Sequence, residues 1–173
     1  MTAAPQASRP HMPGYGLPPE AEGMWPWDWA ERILAAAVRY WLATTRADGR
    51  PHLMPVWGVW HGGALWFSTG DRSVKAANLA ARPTCAVSVE SGPHGVVVEG
   101  VAHHLPAPPV EVAVAYDTKY RTGLPPGEPV YRLVPVMAFG LSDAEGEFVR
   151  STRWRFPAAS VADHRGGGRG LGD

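Results

Sequence analysis

The chain predicts a mainly β fold: an antiparallel barrel of about seven strands with a few short flanking helices. Three observations carry this. Short apolar stretches alternate with polar residues at the two-residue period of half-buried strands, and Gly-containing turns separate them. Only three segments show helical spacing. The 173 residues make one domain long enough to bury a core, and a sheet that closes on itself removes the exposed edges that would otherwise pair with other chains.

Residues 1–24, rich in Pro, Gly and Ala, read as a disordered or loosely attached arm. Apolar positions Trp29, Ile33, Ala36, Ala37 and Tyr40 then recur every three or four residues, as a one-sided helix requires, with Asp28 placed to cap it. From Tyr40 the period becomes that of strands. Tyr40 to Thr45, Leu53 to Trp60 and Ala64 to Thr69 are joined by turns at Asp48-Gly49 and Gly62-Gly63, which predicts a three-stranded antiparallel meander.

A helix over Ser73 to Ala81 is stopped by Arg82-Pro83, because proline disfavours helical geometry in the residue before it. Thr84 to Glu90 and Gly95 to His103 are two further strands, the second rich in β-branched residues. Pro108 to Arg121 is the third helical segment, broken by the loop Gly123-Leu124-Pro125-Pro126-Gly127. Tyr131 to Leu141 and Glu147 to Phe156 close the fold, which spans 25–156. Residues 157–173 read as a flexible Gly/Arg-rich tail.

Sixteen basic and sixteen acidic residues give zero formal net charge, which removes the global electrostatic case for nucleic acid. No apolar run approaches a membrane span, and the Pro-rich start lacks signal-peptide order, so the expectation is a soluble, cytoplasmic protein. The single cysteine, Cys85, sits in an apolar alternation and reads as a core residue. His103 and His104 are adjacent on a strand and face opposite ways, and no zinc-ligand spacing occurs, so no metal site is expected. Hydrolase elbow, Walker and Rossmann glycine patterns are all absent, so chemistry would come from a cofactor.

The stretch from Phe67 to Leu79 is the most informative. A strand end and a Gly turn lead into a helix whose first turns carry Arg72 and Lys75, and cations there oppose the helix dipole unless an anion compensates. Arg72 and Asn78 each lie three residues from Lys75, on neighbouring parts of one face. A phosphate would receive charge and donors together; the alternative is a solvated surface helix, and the local pattern does not choose between them. Ser68 and Thr69 end the preceding strand, where they could contact a ring continuing from the phosphate. Gly58 leaves space between Trp57 and Trp60 for a flat ring.

Taken together, Tyr40-Trp41-Leu42-Ala43-Thr44, Gly49-Arg50-Pro51-His52, Pro55-Val56-Trp57, Phe67-Ser68-Thr69-Gly70 with Lys75 and Asn78-Leu79, and Thr152-Arg153-Trp154-Arg155-Phe156 resemble the pyridoxamine 5'-phosphate oxidase-like FMN-binding split β-barrel superfamily. More narrowly they resemble its flavin- or deazaflavin (F420)-dependent oxidoreductases. The resemblance implies a homodimer with cofactor sites at the subunit interface. It implies phosphate binding by Lys75 and Asn78, with Arg72 or Ser73 as further candidates, and a ring flanked by Val56, Trp57, Ser68 and Thr69. Arg153, Trp154 and Arg155 would reach the neighbouring chain's cofactor.

The ending Thr-Arg-Trp-Arg-Phe departs from the Arg-x-His-type pattern of true pyridoxamine phosphate oxidases, which points away from that substrate. The expected reaction is hydride transfer from reduced F420 to a small organic acceptor such as a conjugated carbonyl compound. The alternatives are an FMN-dependent oxidoreductase, or a carrier of cofactor or haem without turnover. The acidic tail of F420 would need extra basic surface, for which Arg50, Lys119 and Arg121 are candidates. Solvent, Tyr116, Tyr120 and His52 are the candidate proton sources, and no catalytic residue is assigned.

Overall fold

The computed structural model describes residues 4–124 and 129–157; all but the first residue of the expected tail over 157–173, and part of the loop after the third helix, lie outside the described residues. Strands β1 (Gln6–Ser8), β2 (Tyr40–Thr45), β3 (Pro51–Val56), β4 (Gly58–His61), β5 (Ala64–Ser68), β6 (Thr84–Ser91), β7 (His94–Leu105), β8 (Val130–Ser142) and β9 (Thr152–Arg155) accompany helices α1 (Trp27–Ala36), α2 (Val74–Ala81) and α3 (Val110–Tyr120). All strand pairs are antiparallel, in the order β1-β9-β8-β7-β6-β2-β3, with β5 joining β4 to β8. The fold is the expected mainly β barrel with short helices, with nine strands among the described residues rather than about seven.

The long strand β8 makes the split. Its first residues, Val130 to Leu133, pair with β5, while Met137 to Gly140 pair with β9. Between them a bulge opens: Glu99 faces Met137 and Gly100 faces Pro135, which leaves Val136 as the extra residue. One extra residue reverses facing. Tyr131, Leu133 and Pro135 are therefore buried before it, and Ala138, Gly140 and Ser142 after it.

The expected three-stranded meander is corrected by the register. The Asp48-Gly49 turn does join β2 to β3, with Gly49 at a positive φ of 87°, but β4 pairs with β5 and not with β3. Leu53 to Trp60 is two strands, and the chain leaves the first hairpin at Trp57. Gly58 permits this because a Cβ there would lie 2.8 Å from the Trp66 carbonyl oxygen and 2.9 Å from Leu65 Cδ1. Glu147 to Phe156, expected as one strand, is a 3-10 turn (Phe148–Arg150) followed by β9.

The β4–β5 hairpin separates two cores. Leu65 and Phe67 face the main one, with Leu34 from α1, Tyr40, Leu42, Val87, Val98 and Trp154. Trp66 and Val59 face a smaller one, under Val112 and Tyr116 of α3. Burial on both faces explains why β5 reads as an unbroken apolar run. Asp28 does not cap α1: the cap position is Pro26, and Asp28 sits in the first turn, 2.9 Å from Arg32.

Residues expected as a loose arm carry β1, paired with β9. Arg9 donates to the carbonyl oxygens of Glu20, Glu22, Val149 and Ser151, and so ties the segment down. Four backbone acceptors gathered on one guanidinium are a long-range arrangement that local composition does not reveal.

Candidate functional site

The β2–β3 hairpin and α2 meet through a buried polar chain. Asn78, 6% exposed, donates through Nδ2 to Thr44 Oγ1 at 2.9 Å. Thr44 faces His52 across the strands and bonds its carbonyl oxygen at 3.4 Å, with His52 Nδ1 at 3.5 Å. Buried Asn78 and Thr44 are thus partnered, and the chain of bonds joins α2 to the hairpin. Lys75 lies one helical turn before Asn78 on the same side, and its charge bears on His52.

Positive charge accumulates there. Partial burial first, then Arg46 and Lys75, hold the His52 imidazole below its usual range. Lys75 forms no ion pair among the described residues, and the first turn of α2 carries no acidic side chain. Two cations bearing on one imidazole at a helix start make a donor set suited to a phosphate. The turn leading in is hydrogen-bonded to the helix start: Ser73 caps α2 by accepting from the Ala76 amide at 3.1 Å, and Thr69 Oγ1 lies 3.1 Å from Ser73 Oγ.

The structure sorts the sequence candidates. Lys75, Ser73 and Thr69 come together at the start of α2. Asn78 is nearby and buried, with one amide N–H donated to Thr44. Arg72 stands in solvent, its side chain 97% exposed and 3.9 Å from Asp71. Ser68 Oγ donates to the Pro129 carbonyl at 2.9 Å. Val56 is buried at the end of β3, while Trp57 is half exposed and stacks on Tyr120, centroids 4.9 Å apart and planes 5° from parallel. Trp60 instead packs towards the main core and donates to Glu31 at 3.3 Å.

The terminal trio divides by strand alternation. Trp154 is 1% exposed and packs edge-on against Trp27, which leaves it no surface for a cofactor on a neighbouring chain. Arg153 Nε donates to Ser8 Oγ at 3.0 Å, and Arg155 is exposed. Arg46 and Thr44 were missed as members of the site. Counting back from the Asp48-Gly49 turn would have found both, since it sets Thr44 opposite His52 and Arg46 at the hairpin's end.

A second polar cluster lies beyond Trp57. The Tyr120 hydroxyl accepts from the Gly58 amide at 2.9 Å and shares its proton between the carbonyl oxygens of Val38 and Gly58. Lys119 Nζ donates to the Gly58 carbonyl at 2.9 Å and lies 3.4 Å from Tyr40 Oη. Burial lowers this amine to about 8, and burial raises the phenols of Tyr40, Tyr116 and Tyr120 above their ordinary range.

Comparison with known proteins identifies the family and the fold. A family model described as pyridoxamine 5'-phosphate oxidase matches residues 28–143. Among solved structures, an F420 reductase is similar at 25% identity and a TM-score of 0.54, covering 62% of this chain and 94% of its own. A conserved hypothetical protein from Mycobacterium tuberculosis is similar at 23% identity and a TM-score of 0.59, covering 84% of this chain and 97% of its own. A pyridoxamine 5'-phosphate oxidase-related, FMN-binding protein from Nostoc punctiforme shares the fold at 18% identity and a TM-score of 0.53, covering 76% and 90%. No curated protein matches by sequence.

Proposed function

Because the chain belongs to the pyridoxamine 5'-phosphate oxidase family, we propose that it is a split-barrel oxidoreductase that takes hydride from reduced F420 to a small organic acceptor such as a conjugated carbonyl compound. The observation that carries this is that Lys75 and Arg46 both bear electrostatically on His52 beside the start of α2, whose first turn carries no acidic residue. The similarity to an F420 reductase favours the deazaflavin. An FMN-dependent enzyme is the second reading, favoured by the FMN-binding relative of the same fold. A haem or cofactor carrier rests on the fold alone, which a haem-binding protein from Mycobacterium smegmatis shares at 23% identity.

When bound, the cofactor supplies the hydride. Lys75, Arg46 and His52 would hold its phosphate; Ser73 and Thr69 keep the turn in place; and Trp57 would flank the ring, whereas the Val56 side chain is buried in the main core. The Asn78–Thr44–His52 chain keeps these groups in register, which matters because small displacements of a bound reactant are costly in rate. We take the working form to be a homodimer. Trp41, Leu53 and Met54 are 48%, 56% and 44% exposed on the β2–β3 hairpin, whose outer strand has no further strand partner among the described residues, and such an apolar edge favours a partner.

Titration of the purified protein with F420 and with FMN, followed by turnover of model enones with the reduced cofactor, tests the proposal. Saturable F420 binding with enone-dependent oxidation supports it. Binding of FMN alone would replace it with the second reading, and tight binding without turnover would leave a carrier.

A further inference from the structure

We propose that the cavity between α1, β4 and α3 is a binding site for an apolar monocarboxylate, with Lys119 receiving the carboxylate. The cavity is about 410 Å³, lined by Val38, Val59, Trp60, Ala115, Thr118 and Lys119 together with alanines of α1. This is within the range of small-molecule sites. Its walls are apolar except at Thr118 and Lys119.

Lys119 has no ion pair among the described residues. Its ammonium is held by neutral groups only: the Gly58 carbonyl, the Tyr40 hydroxyl, and the faces of the Tyr40 and Tyr120 rings at 5.1 and 5.4 Å from their centroids. A half-buried cation among neutral partners is costly, and a carboxylate would relieve that cost. Burial brings the amine to about 8, so at neutral pH it is largely protonated and able to pair with an acid. The chemistry of the ligand follows from the two parts of the site: a chain or ring for the apolar walls, and a single negative charge at one end. A phosphate or a polyanion would leave its remaining charge against Val38, Val59 and Trp60.

The test uses octanoate, octan-1-ol and octylamine as probes in calorimetric titrations of the full chain without added cofactor, so the outcome does not depend on the cofactor reading. Octanoate is expected to bind saturably, and Lys119→Met to weaken it by about tenfold or more, the loss of a charge-assisted hydrogen bond. Ala115→Leu, which fills the cavity while keeping the amine, is expected to abolish binding; it keeps the test open should Lys119→Met fail to fold. The proposal is overturned if octanoate shows no saturable binding, if octan-1-ol or octylamine binds as tightly, or if Ala115→Leu binds octanoate unchanged.

Discussion

Lys119 gives stability a pH dependence of unusual sign. Its amine sits near 8 in the folded chain against 10.5 when exposed, because burial disfavours the charged form. Between these values the unfolded chain holds a proton that the folded chain has released, so raising the pH favours folding. From about pH 7.5 to about pH 9.5 the full shift amounts to about 2 kcal/mol, and discounting for the solvent that reaches a half-buried group leaves about 1 kcal/mol. For a domain of this size that is about 2–4 °C in Tm. Above about pH 10 the trend reverses, since the buried tyrosines keep their protons longer than free phenols do. Urea midpoints measured across this window should therefore rise for the wild type and stay flatter for Lys119→Met. Equal slopes in the two proteins would refute the argument.

Gly140→Ala should destabilise by about 1–3 kcal/mol in urea denaturation, the usual cost of overpacking, because its Cβ would lie 2.7 Å from both Trp154 Cη2 and Trp29 Cζ3. Glu147 accepts hydrogen bonds from His94 at 2.9 Å and Ser142 at 2.8 Å, which, His94 first, hold its carboxyl below the ordinary value. The stabilisation it contributes is present above the unfolded carboxyl's pKa and is lost as pH falls through the lower folded value, so Glu147→Gln should flatten the acid limb of a thermal pH profile. Arg121, the C-cap of α3, has a φ of 57°, a left-handed conformation that costs a side chain; Arg121→Gly should raise stability by about 0.5–1 kcal/mol in the same denaturation assay.

Where neighbours in sequence are neighbours in space, the residues alone were informative. The β2–β3 hairpin, the cap and start of α2, and the β6–β7 pair follow from turn chemistry and alternation, and Lys75 stands at a helix start as its position implies. The break at Trp57 was not legible, because what ends β3 there is contact with α3 through Tyr120, 63 residues further on. Trp154 was placed by the pattern of the terminal motif, whereas its side of β9 is set by the pairing with β8 after the Val136 bulge. The arm was missed for a related reason: its anchor, Arg9, finds two of its carbonyl partners at Val149 and Ser151, at the far end of the chain.

The central claim is that an anionic group of the cofactor sits at Lys75. The direct measurement is the F420 affinity of the wild type beside Lys75→Ala and Arg72→Ala, with folding verified by circular dichroism. Lys75→Ala should weaken binding by about 10- to 150-fold, corresponding to about 1.5–3 kcal/mol for a hydrogen bond to a charged group, while Arg72→Ala, whose side chain is 97% exposed, should change it little. Unchanged affinity in a folded Lys75→Ala protein would contradict the account and move the phosphate elsewhere.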